Sequence, residues 1–447
     1  MRILVAGSGG VGGLLAGALA RIHEDTFLYA RGDSLQAIRE RGLVIRSKAW
    51  GDFTSRPHVS DKPEALGKAD ILFIAVKGNH LTGCLEEIAP ALSPQSIIIP
   101  LLNGIDAAKR VKEILPAASV AEGVIYVFSH RTAPGEITQT AGSLRIVFGM
   151  NGKENPPMLQ EMAALLRNAG FDVSLSSDMR REIWKKFAVM GGNSAALFAL
   201  GGPAGHVRTV PGYRMALQEI AKEVMAAAAT EGIALDPVLP KTYEEGFASL
   251  PDGDMTSLYR DIVSGKDPAD TEAESVLGTM VRIGIQKNIP MYWFSIAYGR
   301  ALQGTGSGEK MLVSACLLGR CCKYSGGHNY SSKVAAFLKG QDILPVCPEV
   351  LSELSVPRPP VEIRGGRVVN QEGKDLTSVY ETGVRRVMKM IDETPVSMAV
   401  LKARSPTCGV KEIYDGSFSG RRVPGKGLLA RALAKRGIPM KDDDDFQ

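Results

Sequence analysis

A chain of 447 residues is longer than one hydrophobic core ordinarily grows, so two or three domains are expected. With 45% hydrophobic and 23% charged residues it has the composition of a globular protein; a net charge of +5 without long basic runs argues against nucleic acid or a membrane surface as partner. No apolar stretch reaches the roughly 20 residues of a membrane span, no signal-peptide cleavage pattern follows the amino terminus, and six unevenly placed cysteines do not make a secreted disulfide framework. The expectation is a cytoplasmic protein with small-molecule partners, for which a homodimer is one possible assembly.

In chain order, "RILVAG", "TFLYAR", "DILFIAVK", "SIIIPLLNG" and "LRIVFG" read as short buried strands alternating with amphipathic helices. That alternation predicts an α/β Rossmann domain, a parallel sheet with helices on both faces, over residues 1–170. Long helical patterns such as "YRMALQEIAKEVMAAAATEGI" then predict a mostly α-helical second domain over 171–302. The glycine-rich "QGTGSGEK", 303–310, has linker composition. Strand-like "MLVSA", "DILPV" and "SMAVLKA" return in a small carboxyl-terminal α/β domain, 311–447, where five of the six cysteines cluster. Its tail, "KDDDDFQ", reads as a solvated acidic end that frays.

Gly7, Gly9 and Gly12 form G-x-G-x-x-G between the first strand and a helix. The spacing supplies a tight turn, close backbone approach to a pyrophosphate, and close helix–strand packing. Arg31 ends the second strand where an acid would bind the ribose hydroxyl of NAD. A guanidinium there fits the extra phosphate of NADPH; the alternative is a solvated arginine opening the "RGDSLQ" turn.

Cys316, Cys347 and Cys408 each follow a predicted strand, and the carboxyl ends of parallel strands share one edge of a sheet. Three thiols distant in sequence could therefore converge on a metal. A metal site, such as a zinc site completed by Cys321 or Cys322, and inert burial are the readings open to them. Cys84 reads as a buried thiol.

Residues 1–302 resemble ketopantoate reductase (2-dehydropantoate 2-reductase) through an ordered set of motifs. These are the glycine turn with Arg31, "AVKGN" with Lys77, "LLNGID" with Asn103, "GVIYVFSHRTAPGEI", "REIWKKFAV" with Lys186, "TSLYRDI" with Ser257, and "TEAE" with Glu272. The resemblance implies hydride transfer from NADPH to the 2-oxo carbon of ketopantoate, in the pathway to pantothenate and coenzyme A. It assigns Lys186 as catalytic acid, Glu272 as the group fixing catalytic geometry, Lys77 and Asn103 to the meeting point of nicotinamide and substrate, and Ser257 to substrate binding. Spacing alone does not choose between Lys185 and Lys186. Met190 and Ser194 stand where many members carry asparagines, with Asn193 one position off that register as a substitute, and Ala204 replaces a later polar residue. Another 2-oxo acid is therefore the alternative substrate.

Residues 311–437, through "SACLLG", "YSGG", "VCPE", "PRPPVEI", "SPTCG" and "GKGLLARAL", resemble a small bacterial family that includes thiouracil desulfidase. This resemblance implies a 4Fe-4S cluster on Cys316, Cys347 and Cys408 with one iron open to sulfur, and points to Glu349 and Ser405 as acid/base or substrate-contacting groups. Desulfuration as the principal activity is thus a second functional expectation.

Overall fold

The computed structural model describes residues 1–304 and 308–446. Two compact units emerge. The first takes in Met1–Val189, Ile233–Leu235 and Asp270–Val276; the second takes in Met190–Gly232, Asp236–Ala269 and the chain from Leu277 onward. Of the glycine-rich joint, 305–307 lie outside the described residues; Gln303 closes a helix and Lys310 opens a strand.

The first unit is built on a six-stranded parallel sheet in the order His58–Ser60, Thr26–Tyr29, Ile3–Ala6, Ile71–Ile74, Ile97–Pro100, Ser119–Val120. This is the order of a doubly wound nucleotide-binding sheet, the fold class expected from the sequence. Because successive side chains alternate in direction, Ile3 and Val5 enter one core while Leu4 and Ala6 enter another. Both faces are thereby covered, which is why the strands are apolar at every position.

The fifth predicted strand departs from the parallel sheet. "LRIVFG" belongs to the strand Glu136–Gly149, which pairs antiparallel with Glu122–Ala133 and parallel with Asp172–Leu175 and Leu43–Ser47. The helix Gly10–Leu19 lies against this second sheet through a glycine face. An added Cβ at Gly13 would sit 2.6 Å from Ile137, and one at Gly17 would sit 2.8 Å from Ile45. The glycine run thus serves helix packing as well as the turn before it.

The second unit contains helices Tyr213–Ala229, Leu239–Ala248, Ser257–Val263, Thr279–Lys287 and Tyr292–Gln303. It also holds a parallel four-stranded sheet ordered Ile343–Val346, Lys310–Ser314, Val396–Leu401, Met440–Asp442. The acidic tail does not fray as expected. Met440–Asp442 is the sheet's edge strand, and the next turn is tied down: Asp443 to Lys402 Nζ and the Ala403 amide, both at 2.6 Å, and Asp444 to Arg404 at 2.6 Å. Basic partners about 40 residues away neutralise the run. Among the described residues, no helix is long and apolar enough to cross a membrane.

Candidate functional site

In the first unit the glycine turn leaves the central strand and enters the helix Gly10–Leu19 at its amino end. Gly7 has φ +112°, a conformation that side chains rarely adopt, and an added Cβ at Gly12 would lie 2.0 Å from the Gly7 carbonyl. At Gly9 an added Cβ meets nothing within 4 Å. The turn therefore closes tightly at Gly7 and Gly12 and stays open at Gly9, at the positive end of a helix. That is the shape and charge a pyrophosphate needs.

Arg31 lies at the end of the neighbouring strand, exposed, 3.0 Å from Glu87. Tyr29 donates to the other Glu87 oxygen at 2.6 Å, and burial with this bond pushes the Tyr29 phenol up to about 12. The guanidinium is thus presented beside the strand end, its direction set by Glu87. Sequence reasoning missed Glu87, which lies 56 residues from Arg31 on the exposed side of the helix Leu81–Ile88, whose other face enters the core.

A second constellation draws on three distant segments of the same unit. Lys186, on the helix Met179–Leu200, donates to Asn103 Oδ1 at 3.0 Å; Asn103 Nδ2 donates to Glu272 Oε2 at 3.1 Å. The two bonds fix the Asn103 amide orientation, since one oxygen must accept and one nitrogen must donate. Lys185 instead reaches Glu182 at 2.8 Å on the exposed side. Burial pulls the Lys186 ammonium down from 10.5 to about 8, partly opposed by Glu272.

Backbone contacts hold the segments in place. Gly104, at φ +106°, lies against Ser275, where an added Cβ would be 3.0 Å from the carbonyl oxygen. Lys77 precedes the turn Gly78–His80, whose Gly78 carbonyl accepts from Arg110 at 2.6 Å. Arg180 donates to the Ile105 carbonyl at 2.6 Å, tying the start of the Lys186 helix to the Asn103 loop. Arg110, Arg180 and Ser275 carried no sequence signal, because they act through carbonyls and close approach.

Asn193 and Ser257 belong to the second unit. Ser194 there is fully buried, donating to the Met190 carbonyl at 3.0 Å, with its hydroxyl paired to that of Thr256 at 3.1 Å; Thr256 in turn caps the helix Ser257–Val263. Ser257 is the exposed first residue of that helix, Asn193 is partly exposed, and Ala204 is fully buried.

The second unit also holds a cavity of about 590 Å³ at the carboxyl edge of its parallel sheet. Cys316, Cys322, Cys347 and Cys408 all line it, with Glu349, Arg358, Lys402, Arg404 and Ser405. All are free thiols; Cys84 is buried elsewhere, and burial pushes it up to about 11. Hydrogen bonds from Cys322 and Asn329 pull the Cys316 thiol below its ordinary value, while burial pushes Cys408 well above. Glu349 accepts from Thr407 at 2.8 Å and from Cys347 at 3.3 Å. Ser405 accepts from the Thr407 and Cys408 amides at 3.1 and 3.0 Å, so its side chain shapes the turn that presents Cys408.

Convergent thiols at strand ends, backed by cationic side chains, are a donor set suited to a thiolate-held metal group, whose negative charge the cations would offset. As the side chains stand, no group of three or more His, Cys, Asp or Glu residues among those described is arranged to hold a metal ion.

Three family models match the chain in order: ketopantoate reductase PanE/ApbA over residues 3–153, ketopantoate reductase PanE/ApbA C terminal over 178–301, and 2-thiouracil desulfurase over 311–445. The 2-dehydropantoate 2-reductase of Halobacterium salinarum is 27% identical over 286 residues, 63% of this chain and 91% of that protein. The uncharacterized protein YbbK of Bacillus subtilis is 36% identical over 146 residues, 30% of this chain and 97% of that protein. A solved 2-dehydropantoate 2-reductase from Methylococcus capsulatus matches with a TM-score of 0.59 at 26% identity, covering 67% of this chain and 94% of that one. The chain belongs to the ketopantoate reductase family of oxidoreductases and carries a carboxyl-terminal domain of the 2-thiouracil desulfurase family.

Proposed function

We propose that residues 1–302 reduce ketopantoate to pantoate with NADPH in the cytoplasm. The observation that carries this reading is the run Glu272–Asn103–Lys186, which holds a cationic acid in place with an ammonium that can part with its proton. When bound, NADPH supplies the hydride to the 2-oxo carbon. Gly7, Gly9 and Gly12 seat the pyrophosphate, and Arg31 takes the additional phosphate. Lys186 donates a proton to the substrate oxygen as negative charge develops there, a role favoured by a pKa near working pH. Asn103 and Glu272 hold Lys186, Lys77 would face the point where nicotinamide and substrate meet, and Ser257 and Asn193 would bind substrate polar groups.

The test is NADPH oxidation with ketopantoate and a panel of other 2-oxo acids. No turnover, or full activity in Lys186→Ala, would reject the reading. A second substrate within the same reaction is favoured by Ser194, whose hydroxyl is committed to Met190 and Thr256, and by the buried Ala204. Turnover of a different 2-oxo acid in preference to ketopantoate would establish it.

For the carboxyl-terminal domain we propose removal of sulfur from a thiolated base, with Cys316, Cys347 and Cys408 as the residues that would hold an iron–sulfur group. The cavity and its free thiols support this. When bound, such a group supplies Lewis-acid chemistry toward sulfur; the chain's part is to hold it and to line the cavity with Glu349 and cationic side chains. Visible absorption after anaerobic purification and sulfide release from 2-thiouracil are the checks, and colourless protein holding stoichiometric zinc without iron would overturn it.

A further inference from the structure

One wall of the cavity at the sheet edge comes from a loop outside the cysteine turns. Residues 415–421 join the paired strands Glu412–Tyr414 and Arg422–Pro424, and Tyr414, Phe418 and Gly420 line the cavity. Phe418 has φ +57°, a left-handed conformation that is strained for a bulky side chain. Glycine would make the same turn without that cost, as Gly416 and Gly420 do on either side of it. The ring therefore supplies something that glycine could not. It does not do so as core: neither the apolar cluster around Leu312 nor the one around Ile363 includes Phe418, and the residue is only partly buried.

The neighbouring hairpin holds the strain in place. Glu362, on the strand Val361–Arg364 and 9% exposed, accepts from the Gly416 and Phe418 amides, both at 3.0 Å and both on the same carboxylate oxygen. Arg364 on that strand donates to the Gly416 carbonyl at 2.9 Å. An added Cβ at Gly416 would lie 2.5 Å from the Arg364 Cβ, so the loop presses directly on the hairpin. Within the loop the Ser417 amide and hydroxyl both donate to Asp415, at 2.9 and 2.5 Å. A buried carboxylate that gathers two amides at one oxygen fixes the backbone at Phe418, and with it the place where the ring stands.

Three other aromatic residues line the cavity among those described, and each is engaged elsewhere. Tyr380 belongs to the apolar core around Ile363, Tyr414 ends a paired strand, and Tyr324 has Lys323 over its ring at 5.6 Å. Phe418 is the ring left to serve a ligand.

We propose that Phe418 is the surface on which the flat face of a heterocyclic base stacks in this cavity, and that Glu362 is the positioning residue that holds it there. This rests on the reading of the cavity as the place where a thiolated base binds, and it does not depend on what the thiols hold. A base presents a π-face whatever its exocyclic atoms, so stacking grips the ring and leaves the sulfur-bearing edge free.

The experiment uses the full chain, purified anaerobically, and measures binding of 2-thiouracil and of its saturated 5,6-dihydro analogue by calorimetry, with sulfide release followed in parallel. The dihydro ring is puckered but keeps the thiourea group, which separates stacking from recognition of the sulfur edge. The variants are Phe418→Ala, Phe418→Leu, Phe418→Tyr, Glu362→Ala, and Phe418→Ala combined with Glu362→Ala. Glu362→Gln, which keeps an acceptor oxygen, replaces Glu362→Ala in the same comparison if the alanine variant does not fold.

Phe418→Ala and Phe418→Leu should weaken 2-thiouracil by about 5- to 150-fold, the range of one base–aromatic stack, and should change the dihydro analogue by less than about twofold. Phe418→Tyr keeps the π-face and should bind as wild type does. Glu362→Ala should weaken 2-thiouracil in the wild-type background and add nothing on top of Phe418→Ala, because it acts only through the ring. Wild-type affinity in Phe418→Ala, or an equal loss for both ligands, would overturn the proposal while leaving sulfur removal standing. An additive effect of Glu362→Ala would overturn the positioning role. A wild type that neither binds nor desulfurates 2-thiouracil would reject the reading of the cavity, and the proposal with it.

Discussion

Lys186 donates to Asn103 across 83 residues of sequence, at 3.0 Å, while its neighbour Lys185 turns to Glu182. Two lysines side by side on one helix point about 100° apart, so only one can reach the Asn103 loop. If Lys186 is the proton donor, Lys186→Ala should lower kcat for the 2-oxo acid by about 10²–10⁴-fold. Lys185→Ala should stay near wild type, since an exposed pair contributes little. The acid must carry its proton to work, and burial sets it at about 8. Hence kcat/KM should be flat below that pH and fall above it; a profile level to pH 10 would remove Lys186 from the role.

Arg31 and Glu87 make a testable pair for cofactor choice. Both side chains are about half exposed, so their mutual attraction adds little to stability. Arg31→Ala should raise KM for NADPH by about tenfold or more, the scale of a lost charged hydrogen bond, with a much smaller change for NADH. Glu87→Gln removes the carboxylate that competes with a phosphate for the guanidinium, so KM for NADPH should hold or fall. Initial rates with both cofactors measure this, and equal effects of Arg31→Ala on NADPH and NADH would refute it.

The parallel sheet and its glycine turn were legible because they are local. Ile3–Ala6 is apolar throughout, and the turn needs glycine at fixed offsets. The run Glu272–Asn103–Lys186 was not legible from the residues alone: Asn103 and Glu272 are 169 residues apart, and only the family motifs joined them. Cys322 escaped for a different reason. Whether Cys321 or Cys322 faces inward is set by one backbone turn at Arg320, which residue identity does not reveal. The tail misled because an acidic run looks solvated when its partners, Lys402 and Arg404, lie far upstream.

Those tail contacts carry a prediction of their own. Arg404 has φ +61°, a strained conformation for a side chain, within the segment that leads to Ser405 and Cys408. Asp443 holds Lys402 and the Ala403 amide, and Asp444 holds Arg404. Asp443→Ala should cost about 1–3 kcal/mol by leaving these groups without their partner. Hydrogen exchange of the amides from Ala403 to Cys408 should speed up in the variant. Unchanged exchange there would mean that the loop holds its shape without the tail.

Glu223 is a buried carboxylate that accepts from the Trp293 and Phe294 amides at 2.9 and 3.2 Å, at the start of the helix whose Tyr292 and Trp293 lie under Arg320. Burial raises it from 4.5 to about 8, outweighing the two amides. Between those values the folded chain keeps a proton that the unfolded chain has lost. Stability from this group is therefore full below about 4.5 and is lost as pH rises through about 8. Glu223→Gln cannot titrate and escapes the loss. Thermal unfolding should show the variant gaining on wild type from pH 5 to pH 9, by about 1 kcal/mol or more at the upper end. Parallel curves for the two proteins across that range would show that Glu223 stays ionised in the folded state, with its two amides prevailing over burial.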